Sequence, residues 1–219
     1  MNANTNSPLI ILTGPTAVGK TRLSVSLAQR IGGEIISADS MQVYRHMNIG
    51  SAKITPQEMQ GVPHHLIDIL EPWESFNIML FQRYAETAVR EICGRGHIPI
   101  LAGGTGFYIQ AVLYGIDFTE EAQDGAYRER LERLFAQQGA ESVHDMLRRC
   151  DPVSADAIHP HNRKRVIRAL EYYHLTGEPI SAHNETQHKK ESQYNACYFV
   201  LNDDRQRIYE RIDRRVEEM

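Results

Sequence analysis

Cysteine is scarce in this sequence: three in 219 residues, Cys93, Cys150 and Cys197, with no pair at CxxC spacing. That excludes a disulfide framework and a thiolate zinc site, and it fits reduced thiols in the cytosol. Long hydrophobic runs are also missing, so no segment reaches membrane-spanning length and no membrane contact is expected. Residues 1–7 are polar and lack the basic-then-apolar order of a cleavable leader, so they read as a short disordered tail. Nor is there a surplus of positive charge: 24 Lys and Arg stand against 28 Asp and Glu, a formal net charge of -4. A uniformly basic nucleic-acid binder is thereby disfavoured, although local patches decide such contacts. The 42% hydrophobic content is ordinary for a globular chain, and the length suits one large domain or one domain with an insertion.

What is present begins with Gly14-Pro15-Thr16-Ala17-Val18-Gly19-Lys20-Thr21, which fills GxxxxGK[ST] at every fixed position. It follows the apolar run Leu9-Ile10-Ile11-Leu12-Thr13 and precedes a helix-compatible segment, the setting a P-loop requires. Glycines permit positive φ there and let backbone N–H groups converge on a phosphate. Lys20 adds a point charge and Thr21 a hydroxyl suited to Mg2+, while the following helix turns its positive end to the same anion. A glycine-rich turn can be mere punctuation. The full motif in this setting predicts a diphosphate or triphosphate ligand, with nucleotide binding, ATP included, as the generic reading.

Leu23, Leu27 and Ile31 recur at helical spacing, Gly32-Gly33 stop that helix, and a strand over 34–37 completes a βαβ opening. Parallel sheets place ligands beyond the carboxyl ends of their strands. Asp39, just past the second strand in Ser37-Ala38-Asp39-Ser40-Met41-Gln42-Val43-Tyr44-Arg45, is therefore a candidate general base; on residue grounds alone it is equally a turn or capping aspartate. Thr55-Pro56-Gln57-Glu58 has a capping-box pattern. Residues 63–69 read as a short strand entered through His64 and His65, whose side chains point apart and so would not share a metal. Residues 77–95 read as a helix with Ile78, Phe81, Ala85, Val89 and Ile92 on one face. A strand over 98–102 runs into Gly103-Gly104-Thr105-Gly106-Phe107-Tyr108. Many P-loop NTPases end such a strand in an acid that manages Mg2+, whereas glycines and a threonine suit close approach of a bulky substrate, with Asp68 left as an alternative acidic partner.

From about Asp117 the texture changes to charged amphipathic helices, over 127–137, 143–149 and 162–176. The expected fold is an α/β P-loop core, a parallel sheet with helices on both faces, carrying an inserted all-helical subdomain: core 1–117, insertion 118–192, return strand and helix 193–219. Arg128, Arg130 and Arg133 crowd the first inserted helix. Arg163, Lys164, Arg165 and Arg168 stand near the start of another, where acids are preferred, which suggests an external anion; a solvated face with local ion pairs is the alternative. After a strand over 198–201, Asp203 can cap a helix with an apolar stripe of Ile208, Ile212 and Val216 and with Arg207, Arg211, Arg214 and Arg215 on the other face. Late arginines of this kind can close over phosphates and neutralise a leaving group.

The blocks GPTAVGKT from Gly14, IISADSMQVYR from Ile35, PHHLID from Pro63, GGTGFY from Gly103, NRKRVIRALE from Asn162 and RRVEEM from Arg214 together resemble the tRNA dimethylallyltransferases of bacterial type, in that family's order and over nearly the whole chain. The resemblance implies transfer of a dimethylallyl group from dimethylallyl diphosphate to N6 of the adenine next to the anticodon, with Mg2+. It implies that Gly14, Pro15, Thr16, Ala17, Val18, Gly19, Lys20 and Thr21 hold the donor diphosphate, with Thr21 near Mg2+. Asp39 would accept the N6 proton, and Lys20, Thr105 and Arg215 would complete the catalytic set. It further implies that Asp39, Ser40, Met41, Gln42, Thr105, Arg128, Lys164, Arg165, Val166, Ile167 and Arg168 contact the tRNA anticodon stem-loop. A cytoplasmic monomer is expected. Members of the family continue beyond the RRVEEM block, so this chain is expected to be truncated at its C-terminal end, in mid-helix.

A small-molecule or nucleoside kinase follows the same plan of P-loop, inserted lid and late arginine helix, and is the main alternative; the glycine-threonine strand end and the basic insertion separate the two. A noncatalytic tRNA-binding fragment and an enzyme that prenylates free adenine nucleotides are further readings.

Overall fold

Every apolar residue of Leu9–Leu12 is wanted by one side or the other of a two-faced sheet, which explains why this run does not alternate with polar residues. The computed structural model describes residues 7–118 and 125–217. The expected tail over 1–7, Ser7 apart, lies outside the described residues, as do the last two positions of the Arg214 block. The strands are β1 (Pro8–Thr13), β2 (Gly33–Ser37), β3 (His64–His65), β4 (Ile98–Gly103) and β5 (Asn195–Val200). They form one parallel sheet in the order β3-β2-β4-β1-β5. Between them run α1 (Lys20–Ile31), α2 (Pro56–Met59), α3 (Ile78–Gly94) and α4 (Gly106–Tyr114).

Helices cover both faces. Leu9, Ile11, Ile36 and Leu101 pack with Phe81, Ala85, Val89 and Ile92 of α3 and Ile109 and Val112 of α4. Ile35 and Ile100 point the other way, joined by Ile10, and meet Val25 and Ala28 of α1. Helix ends follow local chemistry: the Asn77 side chain accepts from Leu80 N at the start of α3, and Thr55 and Glu58 close a full capping box on α2.

Several expectations are corrected. Leu23 is 44% exposed; Leu27 and Ile31 of the expected stripe pack half-buried against the core, and the fully buried face of α1 is Ser24, Val25 and Ala28. The strand expected over 63–69 shrinks to two residues because Leu66 and Asp68 adopt left-handed φ of 64° and 55°, which breaks the ladder. Asp203 is not the cap of α9 (Arg205–Glu217): it pairs with Arg207 and Arg211, while Asp204 Oδ1 accepts from Gln206 N and Arg207 N. In the stripe of α9, Ile208 is buried but Val216 is exposed.

The chain forms two compact units, one of the residues up to Ile116 together with those from Glu191, the other Asp117–Lys190. The second contains α5 (Gly125–Cys150), broken at Gly139 by φ 82° and ψ 171°, then α6 (Pro152–Ala157), α7 (Arg163–Thr176) and α8 (Ile180–His188). Leu131, Val143, Leu147, Val166, Ile167 and Leu170 form its core. Asp151 knots it together. Its Oδ1 accepts from Ser154 N and Ser181 Oγ, and its Oδ2 from Ser154 Oγ and Ser181 N, so one buried carboxylate caps α6 and holds the start of α8. Burial pushes that carboxyl upward, but the four hydrogen bonds outweigh it and leave it below the usual range.

Candidate active site

Three strand ends meet at the carboxyl edge of the sheet. From β1 comes the P-loop, where Gly14 has φ 149° and Gly19, at the N-cap of α1, φ 97°. Gly14 could not be another residue, because a Cβ there would lie 2.3 Å from Leu201 O, just past the end of β5. From β2 come Ala38 and Asp39, and from β4 come Gly103, Gly104 and Thr105. A Cβ on Gly103 would lie 2.4 Å from Ala38 O, and one on Gly104 would stand 3.6 Å from Gly14 O and 3.9 Å from Lys20 Nζ. Gly103 thus lets the ends of β2 and β4 close on each other, while the position of Gly104 would leave room for a Cβ.

Lys20 Nζ donates to Gly14 O at 2.9 Å and Pro15 O at 2.7 Å, folding back over the loop that a phosphate would enter. Burial pushes its ammonium below the usual lysine range, the Arg215 guanidinium adds to the fall, and the Asp39 carboxylate opposes it. Those three charges, distant in sequence, therefore share one electrostatic neighbourhood. Arg215 Nη2 also donates to Ala52 O at 3.2 Å, which fixes α9 to the loop after β2. No acid occupies the first turn of α1 and no side chain caps it, so its positive end is left to an outside anion. Thr21 is exposed in that turn.

Asp39 does act as a turn residue: its Oδ1 accepts from Met41 N at 2.8 Å and Gln42 N at 3.2 Å. That turn role leaves the carboxylate with lone pairs for a further partner after the two bonds. Thr105 stands at the N-cap of α4 without a side-chain capping bond. Tyr108, one turn on, stacks on Phe81 with ring centroids 4.3 Å apart, and burial, Tyr44 and Asp39 in that order raise its phenol. Asp68, the alternative acid for Mg2+, is paired with Lys53, which also donates to Tyr44 O. Among the described residues no three His, Cys, Asp or Glu side chains gather as a metal site. Mg2+ is commonly held by one or two protein side chains together with phosphate oxygens and water, so a site of that kind needs no such cluster.

In the helical unit the expected RNA-facing residues divide. Val166 and Ile167 are fully buried core side chains, because α7 turns that side inward, so they are corrected out of the set. Arg128 pairs with the buried Glu171 carboxylate at 3.1 Å, and Arg163 pairs with Glu132 and lies over the Phe135 ring, so local ion pairing accounts for both. Lys164, Arg165 and Arg168 are exposed on the first two turns of α7.

Comparison with known proteins bears on what this edge is for. The family model described as IPP transferase matches residues 42–219, and that described as isopentenyl transferase matches 7–69. The tRNA dimethylallyltransferase of Lachnoclostridium phytofermentans is 63% identical over 212 residues, covering 97% of this chain and 68% of that protein. The chain belongs to the tRNA dimethylallyltransferase family. The Bacillus subtilis relative is 52% identical over 99% of the chain and 68% of its own length. Among solved structures, the full-length tRNA isopentenylpyrophosphate transferase of Bacillus halodurans aligns with a TM-score of 0.65 at 47% identity, over 97% of this chain and 66% of that one. A eukaryotic dimethylallyltransferase acting on tRNA aligns with a TM-score of 0.83 at 31% identity, over 97% of this chain and 52% of that one. The chain thus spans about two thirds of the length of its bacterial relatives.

Membership of the dimethylallyltransferase family decides for a transferase over the kinase alternative. It also gives the missing acid at the end of β4 a setting: Gly103 serves backbone approach. The sequence offered no sign of the Arg128–Glu171 pair, because the two residues lie 43 positions apart on different helices. No helix among the described residues is long and apolar enough to cross a membrane.

Proposed function

We propose that this chain transfers the dimethylallyl group of dimethylallyl diphosphate to N6 of the adenine adjacent to the anticodon in tRNA. The observation that carries the reading is the meeting of the P-loop, with Lys20 Nζ on Gly14 O and Pro15 O, the Asp39 turn and the Gly103 strand end at one edge of the sheet, in a neighbourhood that Arg215 shares. Two cations and a carboxylate suit a reaction in which an amine loses a proton while a diphosphate departs. The P-loop N–H groups and Lys20 bind the donor's diphosphate, and Arg215 meets the negative charge that grows on it as the carbon–oxygen bond breaks. Asp39, held by Met41 N and Gln42 N, orients the N6 amine and takes its proton. That amine is a weak nucleophile, so placement and proton removal matter together. Mg2+, held through the Thr21 hydroxyl, would supply further neutralisation of the diphosphate. Thr105 contacts the acceptor, and Ser40, Met41, Gln42, Lys164, Arg165 and Arg168 contact the RNA. The working unit is a cytoplasmic monomer, and its partners are the donor and the anticodon stem-loop.

The test is transfer of labelled dimethylallyl to an unmodified anticodon stem-loop, with ATP as a competing donor. Asp39→Asn keeps the oxygen that accepts from Met41 but removes the base, so transfer should fall about 100- to 10,000-fold with stem-loop affinity kept. Phosphoryl transfer from ATP, or full activity of the variant, would overturn the proposal; binding without transfer by the wild type would mean an RNA-binding protein only.

A further inference from the structure

Beyond Gln42 the chain makes a loop that the transferase reading leaves without a task, and Met41 faces a cavity with it. Met41, His46, Met47, Asn48, Ile49, Gly50 and Ser51 line a cavity of about 370 Å3. Three apolar side chains stand out of it: Met41 is 42% exposed, Met47 36% and Ile49 70%. Exposed apolar groups on a floppy loop would collapse inward, but this loop is braced. Its first residues are tied to Asp39 through Met41 N and Gln42 N. Its far end is held by Arg215 on Ala52 O and by the Lys53 side chain on Tyr44 O and Asp68. Inside it, Ala52 N donates to Ile49 O, Lys53 N to Asn48 O and Ser51 Oγ to Met47 O, while His46 and Ala52 take left-handed φ of 65° and 43°. The cup is preformed.

Its lining says what it fits. No Lys, Arg, Asp or Glu belongs to it, so it is not built for a phosphate or a charged peptide. Two thioethers and an isoleucine suit a flat π-system, since sulfur packs well against aromatic rings, while the Asn48 amide and the His46 ring can bond a base edge. An allylic chain has no polar edge for those groups and needs an enclosed site rather than an open cup.

The geometry points to a second base pocket: the 41–51 cup receives an unstacked base of the anticodon loop next to the acceptor adenine. This rests on the transferase reading above. The tie between Asp39 and Met41 puts the cup beside the acceptor position, and single-stranded RNA is read by splayed bases stacked on side chains. Packing a neighbour there holds the loop open while the acceptor is in the site.

The test is a cycle on the full chain. Stem-loop affinity is measured for the wild type and for Met47→Ala/Ile49→Ala, leaving Met41 in place, with intact RNA and with RNA made abasic at either nucleotide flanking the acceptor. The variant should bind intact RNA about tenfold more weakly, the scale of one lost stacking contact. With RNA abasic at one flanking position, variant and wild type should bind alike, and KM for dimethylallyl diphosphate should not move. A raised donor KM with RNA affinity intact would assign the cup to the donor's chain and overturn the inference, as would strictly additive losses. An unaffected variant beside a wild type that binds sinks the cup alone; a wild type that binds no stem-loop sinks the transferase reading with it.

Discussion

Gly103 shows how one hydrogen atom in place of a methyl group can decide a site. Its neighbours at 2.4 to 2.7 Å are the carbonyl and Cβ of Ala38, which cannot rotate away as a side-chain tip can. Gly103→Ala must push Ala38, and with it Asp39, off the end of β4. Destabilisation of about 1–3 kcal/mol is expected, with a larger proportional loss in kcat than in donor KM; calorimetry and steady-state kinetics check the two halves. Glu34 is a case where residues far from the chemistry set stability. At the other end of β2 it is 3% exposed and accepts from Arg95 Nε and Nη2, with His65 and His97 on the same carboxylate. The Arg95 hydrogen bonds hold its carboxyl down to about 2, from an ordinary 4.5, with burial opposing and the two histidines assisting. A depressed carboxylate stabilises the fold above its unfolded value and loses that contribution as pH falls through the folded one. The window is therefore about 4.5 down to 2, and the contribution is about 3 kcal/mol at neutral pH. Glu34→Gln should flatten acid unfolding across that window, as followed by circular dichroism. The sequence revealed neither device: the P-loop and Asp39 follow local patterns, but the Gly103–Ala38 contact and the Glu34 cluster arise only when strands distant in sequence become neighbours.

Elements were legible where a period or a cap announced them. The Asn77 helix, the capping box at Thr55 and the strands around Ile11 and Ile100 each carry such a signal. β3 was overestimated because Leu66-Ile67-Asp68-Ile69 is apolar enough to read as a strand, and nothing local shows that Leu66 and Asp68 turn left-handed. α6 and α8 were not foreseen, since both are short and their stability comes from tertiary contact. Asp151 is that contact. Asp151→Ala removes four acceptor bonds and leaves the Ser154 and Ser181 amides without their partner, so the helical unit should lose about 2–4 kcal/mol. A lowered melting temperature, with the α6 and α8 amides exchanging fastest, is the expected result. If Asp151→Ala melts like the wild type, the carboxylate is not what joins these helices.

At the scale of the whole molecule, the composition argued against a basic nucleic-acid binder, yet the family acts on tRNA. The two agree if affinity comes from a few local cations against an acidic background, formal net charge -4. Lys164→Ala and Arg165→Ala should each weaken stem-loop binding for every sequence and lower the slope of log affinity against log salt by about one. Arg128→Ala should instead act on stability, because its partner is a buried carboxylate. The α/β class and helices on both faces were readable because the central strands β1 and β4 are near-continuous apolar runs set between helical segments. The order of those strands was not.

That order carries a consequence for how the protein is made. β1 is made before β4 and β5 but lies between them, and Leu201 N donates to Thr13 O beside the glycine that starts the P-loop. β1 therefore waits for β5, with the whole helical unit translated in between. Until then its hydrogen-bonding edge is bare, and the nascent chain depends on shielding of an apolar strand rather than on its own fold.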